Sequence, residues 1–190
     1  MAENPDSSRD SGAAVAPALA PDSSVQFVLS QADTPEKFCT ALAKLFGVRP
    51  KEVAMLRLEK GLLKFVFPEQ LQTAGSIPVS SSSAVAAHTA STRKTQLFNT
   101  FTKVKHARVF ETVKLAGAGE DESEQASIQK LMSAPVLSPD RKVLGVMQVS
   151  RKAFDAASAG PDFTLEDLQQ LELAAKVAAG LPFMKGNSGS

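Results

Sequence analysis

Two apolar runs joined by a short polar turn dominate the hydropathy pattern of the chain. Leu131, Ala134, Val136 and Leu137 form the first, Val143, Leu144, Val146, Met147 and Val149 the second, with Ser138-Pro139-Asp140-Arg141 between them. Pro139 presets φ for a turn position and Asp140 can bond its own backbone, so the pattern predicts two strands and a tight turn. Apolar residues follow one another in both runs instead of alternating cleanly, which predicts a central hairpin covered on both faces. A second hairpin is predicted from Val53–Leu58 and Leu62–Phe67 around Glu59-Lys60-Gly61, with Arg57, Lys60 and Lys64 facing water and Pro68 closing it.

Helical spacing appears at both ends of the pattern. Asp33-Thr34-Pro35-Glu36 supplies a cap, a proline in the first turn and an acid at the positive dipole end. The helix that follows should stop at Gly47, with Phe38, Leu42 and Leu45 on one face and Cys39, Leu42 and Phe46 on an overlapping one, so that Cys39 reads as a small core residue. Near the C-terminus, Thr164 and Asp167 form a box-like cap and Phe163 can staple against Leu168. Leu165, Leu168, Leu171, Ala175, Ala178 and Leu181 then recur every three or four residues until Gly180 and Pro182 end the stripe. Between the hairpins, Ser80–Ser83 is expected to cap a short helix over Ala84–Ala90. Phe98, Phe101, Val104, Val109, Phe110 and Val113 lie among cations, and Leu115–Ser127 is too polar and glycine-rich for a core.

Composition narrows the reading. Residues 1–24 hold almost no large apolar side chain and are expected to be a disordered tail, leaving one domain over 25–184 and a flexible end over 185–190. No apolar run approaches the ~20 residues that cross a bilayer, and the Ala13–Ala20 segment lacks the positive start of a leader, so a cytoplasmic protein is expected. A formal net charge of +1 gives no global field for nucleic acid or anionic membrane. The cations of 93–114 are followed at once by Glu120, Asp121, Glu122 and Glu124, which reads as a self-screened surface. The single cysteine excludes an internal disulfide.

The order of these elements, and above all LMSAPVLSPDRKVLGVMQVSRK followed by FTLEDLQQLELAAKVAAG, resembles the GAF domain family. The resemblance implies an α/β (α+β), GAF/PAS-like sandwich: a central antiparallel sheet, terminal helices on one face, and a variable pocket-forming region on the other. It also implies a sensory or regulatory module, often dimeric through the terminal helices. Cyclic-nucleotide-binding members carry an Asn-Lys, a later Phe and an Asp-Glu pair. Lys152, Phe163 and Asp167 are kept here, but Arg151 and Leu168 replace the Asn and the final Glu. Covalent bilin attachment needs Cys beside His, whereas Lys105 precedes His106. The methionine sulfoxide reductases of this fold need several cysteines, and His88 and His106 are isolated as ligands for haem or iron.

No Ser/His/acid set, carboxylate pair or phosphate loop emerges, so no enzyme is expected. The leading expectation is a regulatory domain that binds a small molecule and signals in trans through a homodimer or a partner signalling protein. Its pocket would be lined by Phe98, Phe101, Phe110, Met132 and Met147, with Lys105, Arg108 or Lys152 as anion anchors. No cofactor can be named. The alternative is a ligand-free interaction module whose pocket is filled by its own side chains, and a third reading is an enzyme working through Cys39.

Overall fold

The computed structural model describes residues 21–101 and 126–186. Helix α1 (Pro21–Ser30) precedes α2 (Pro35–Phe46), and a 3-10 turn at Pro50–Glu52 leads into β1 (Val53–Glu59) and β2 (Leu62–Phe67). A second 3-10 turn at Glu69–Leu71 leads to β3 (Ser76–Pro78), α3 (Val85–Thr92) and β4 (Gln96–Phe98). The central hairpin is β5 (Ser127–Leu137) and β6 (Val143–Ala153), followed by α4 (Leu165–Gly180) and α5 (Pro182–Lys185). The six strands form one sheet in the order β3-β2-β1-β6-β5-β4, every neighbouring pair antiparallel.

Local chemistry explains the element ends. The Thr34 hydroxyl accepts the Lys37 N–H at 3.2 Å, Pro35 opens α2, and Gly47 closes it at φ 60°. Thr164 and Asp167 form the expected box: Thr164 accepts the Asp167 N–H at 3.1 Å and the Asp167 carboxylate accepts the Thr164 N–H at 2.8 Å. In the turn of the central hairpin, Ser138 accepts the Arg141 N–H at 2.8 Å through its carbonyl and donates its own N–H to Lys142 at 2.9 Å.

The two faces of the sheet carry different layers. Met132, Ala134 and Val136 of β5 and Met147 and Val149 of β6 pack with Val53 and Met55 under α2 and α4, and Leu29 brings α1 into the same core. Leu56, Leu63, Phe65 and Val146 point the other way, against Ala86 and Ala90 of α3. The apolar hairpin thus faces helices on both sides, as its pattern predicts.

Several expectations need correction. The chain is already helical at Pro21, four residues before the expected start of order, because Val25 and Leu29 turn into the core beside α2 and α4. The serine run does not cap α3. Ala84 holds the cap position and no side chain bonds there, since the chain passes through a turn before the helix begins. The short edge strands β3 and β4 were not expected, and three residues carry too little alternation to reveal them. Leu165 lies outside the core stripe at 71% exposure, because its place in the first turn points outward.

Candidate functional site

The α3 face is the place where the resemblance puts a pocket. Val85, Ala86, Ala87, Thr89 and Ala90 are buried, and the small side chains let the helix backbone approach the strands closely. At one end, Val85 meets Phe101 and Leu131, with Phe98 and Ile128 packed alongside. Phe98 and Phe101 contact edge to face, with ring centroids 5.9 Å apart.

A buried polar group interrupts this apolar interface. The hydroxyls of Thr89 on α3 and Ser133 on β5 lie 2.8 Å apart, and the Gln148 amide on β6 donates to Ser133 at 3.1 Å. Thr89 and Ser133 are wholly buried and Gln148 is nearly so. Because leaving a buried partner unpaired costs about 1–3 kcal/mol, the trio fixes the register of α3 on the sheet. Ser133→Ala should therefore cost about 2 kcal/mol, read from urea unfolding, and the loss should shrink when Thr89→Val is added; equal losses would mean the trio does not act as a unit.

The strand period continues along β6 toward Ser150 and Lys152, which belong to the same face as Gln148. Ser150 donates to the Glu52 carbonyl at 3.1 Å. The Glu52 carboxylate, nearly buried, accepts from the Lys152 N–H at 2.7 Å, the Arg49 N–H at 2.8 Å and the Arg49 guanidinium at 2.9 Å. Lys152 is half-buried, and burial holds its ammonium below the usual lysine range. On the opposite face, Arg151 lies 4.6 Å over the Phe163 ring and donates to the Phe46 carbonyl at 3.1 Å. Asn99 ties β4 to the entrance of α4, accepting the Phe163 N–H and donating to the Phe163 carbonyl, both at 2.9 Å.

The structure separates the expected pocket residues. Phe98 and Phe101 come together on the α3 face, and Lys152 pairs across the sheet with Ile128, which packs on the same cluster. Met132 and Met147 do not belong there: both are wholly buried on the other face, among the residues of α2 and α4, because the two-residue period of a strand sends them opposite to Leu131 and Val146. Lys105, Arg108 and Phe110 lie outside the described residues. Thr89, Ser133 and Gln148 were missed, since isolated polar residues in strands and in an alanine-rich helix resemble solvent-facing positions. Of the residues that match the cyclic-nucleotide-binding pattern, Phe163 packs beneath Arg151 and Asp167 caps α4, so both have structural roles.

Cys39 is wholly buried, and burial pushes its thiol far above the usual range. This argues against the reading in which it is a nucleophile. A thiol reagent should modify the native protein no faster than global unfolding allows; stoichiometric labelling within seconds under native conditions would show otherwise. His88 is exposed and bonded to Gln96. Among the described residues no group of three His, Cys, Asp or Glu side chains could hold a metal ion, and no helix is long and apolar enough to cross a membrane.

No family model and no curated protein matches the chain. Solved structures do. The GAF domain of an Acinetobacter phosphoenolpyruvate-protein phosphotransferase aligns at TM-score 0.60 and 14% identity, over 86% of this chain and 90% of that one. The A. Aeolicus nlh2 GAF domain in an inactive state aligns at 0.57 and 13%, over 86% and 93%. A putative GAF sensor protein from Burkholderia vietnamiensis aligns at 0.52 and 14%, over 84% and 89%. At these identities the likeness is one of fold.

Proposed function

With the GAF-domain fold as premise, we propose that the chain is a sensory or regulatory module that takes a small molecule on its α3 face and passes occupancy to a second copy or a partner signalling protein. The observation that carries this reading is the polar trio of Thr89, Ser133 and Gln148, set in an otherwise apolar helix–sheet interface between the Phe98–Phe101 cluster and Val146. A few converging polar groups in an apolar setting orient small ligands. Because these three are buried and bond one another, a ligand reaches them by displacing α3, the element whose packing occupancy would then shift. Of the expected lining, Phe98, Phe101 and Lys152 remain, with Lys105, Arg108 and Phe110 as candidates in the segment that follows Phe101.

The output surface in this reading is α1 with α2. Phe27 and Val28 are exposed at 65% and 57%, and a groove of about 830 Å³ runs between the two helices, lined by Val25, Val28, Leu29, Thr40, Ala41 and Leu45 among others. An exposed apolar patch of this kind suits a second copy of the chain.

The alternative, an interaction module without ligand, is favoured by one feature: Phe101 and Leu131 are each only 1% exposed and Val85 2%, so the chain's own side chains fill this part of the face. Native mass spectrometry of the purified protein, with an absorption spectrum of the same sample, separates the two. Added mass that is lost on denaturation supports the sensor. Bare protein mass, together with no thermal stabilisation by any member of a metabolite panel, counts against the sensor and shifts weight to the filled module.

A further inference from the structure

Where the turn of the central hairpin approaches the end of α4, the surface holds a recess of about 530 Å³ that reaches Arg93, at the end of α3 opposite Val85 and the Phe98–Phe101 cluster. Its floor is apolar: Pro135, Leu137, Pro139, Ala179 and Gly180 contribute. Arg93, Arg141, Lys176 and Lys185 stand around it against one acid, Glu172. All five are exposed, and none of the four cationic side chains makes a hydrogen bond or ion pair with another described residue. Lys142, on the same turn, is by contrast held by Asp140 at 2.9 Å.

The cations come from four separate elements. Arg93 ends α3, Arg141 lies in the hairpin turn, Lys176 is on α4 and Lys185 ends α5. A plainly structural role is available to some of them, since cations favour the negative ends of helices. That role leaves most of the charge unused: a helix end presents roughly half a negative charge, whereas four cations face a single carboxylate here, and Arg141 adjoins no helix. Arg93 and Arg141 are also held at φ 57° and 63°, a left-handed backbone that glycine adopts at less cost.

We propose that this recess is a second site, specific for a small anion carrying two or more linked phosphate groups. Forked guanidinium groups match phosphate oxygens, lysines add charge without demanding fixed geometry, and the volume suits a small metabolite rather than a polymer. The chemistry is shared by inorganic polyphosphates and nucleoside polyphosphates. The apolar floor favours the latter, because a base would cover Leu137 and Ala179 while the phosphate chain meets the cations.

The test is calorimetric titration of the full chain with inorganic tripolyphosphate and, separately, with ATP, both at low ionic strength. Arg93→Gly combined with Arg141→Gly removes two cations at positions whose backbone glycine prefers, so this variant should keep its circular dichroism spectrum and melting midpoint. It should bind either probe at least about tenfold more weakly, the loss expected from one or two charge-assisted hydrogen bonds. Lys44→Gln, on α2, should bind as the parent does. Tighter binding of ATP than of tripolyphosphate assigns the apolar floor to a base; equal binding assigns recognition to the phosphate chain alone, and either supports the site. No heat with either probe, unchanged affinity in the double variant, or an equal loss in Lys44→Gln would overturn it.

Discussion

Gly145→Ala is expected to destabilise the protein by roughly 3 kcal/mol and to lower its thermal midpoint by roughly 6–12 °C, the range for overpacking in a domain of this size. Gly145 pairs with Arg57 of β1 on one side and Val136 of β5 on the other. A Cβ there would stand 2.0 Å from the Leu56 carbonyl oxygen and 2.6 Å from the Met184 methyl. The two clashes differ in kind. Met184 ends a flexible side chain that can swing away, but the Leu56 carbonyl belongs to the backbone of β1 and can retreat only by loosening the β1–β6 ladder. Adding Met184→Ala should therefore leave most of the loss in place. Full rescue by that second change would show that the methionine alone sets the requirement. Gly180 is a suitable control because a Cβ there meets nothing within 4 Å, so Gly180→Ala should leave the midpoint nearly unchanged.

The consequence reaches beyond one strand. β6 is the strand that joins both halves of the sheet, with β1 on one side and β5 on the other, and it carries Val146 and Gln148 toward α3 and Met147 and Val149 toward α2 and α4. A shift at Gly145 would disturb both layers together. In circular dichroism and proteolysis, Gly145→Ala should behave as a globally weakened protein rather than one with a single loosened edge.

The elements most legible in the sequence were those with redundant signals. α2 had a cap, a proline, an acid and a terminal glycine, and α4 had a capping box followed by regular apolar spacing, so both ends could be placed closely. The central hairpin was legible as a pair of strands, but its faces were not. Consecutive apolar residues hide the two-residue period, and for that reason Met132 and Met147 were expected beside Phe101 when they belong to the opposite core. The register shift between Val136 and Leu137 further blurs the alternation where it would have helped most. α1 was hidden by a polar, proline-containing start, and its order comes from docking against α2 and α4, a tertiary effect that no local window contains. The basic recess has the same character: Arg93, Arg141, Lys176 and Lys185 are scattered along the chain, and only the topology gathers them.

Glu52→Ala is expected to cost about 3 kcal/mol, toward the lower end for breaking a buried ion pair because the partner Arg49 side chain, at 45% exposure, can rehydrate. The change would also strip acceptors from the Arg49 and Lys152 N–H groups, so the end of β6 should loosen along with the turn before β1. The same carboxylate gives stability a pH dependence whose sign follows from its surroundings. Burial alone would raise its pKa, but the hydrogen bonds from the Arg49 side chain and from the Arg49 and Lys152 backbones together outweigh burial and hold it below the ordinary value of 4.5. A group with a lower pKa in the folded state stabilises fully above its unfolded pKa, and that contribution disappears as pH falls through the folded value. The stability gap between the parent and Glu52→Gln, from urea midpoints, should therefore be constant near neutral pH and narrow once the pH drops below 4.5. Asp33, Glu59, Asp140 and Asp155 also have lowered pKa values, but they are common to both proteins and cancel in the difference. A gap that stayed the same width into acid would mean that Glu52 contributes shape to the turn rather than charge.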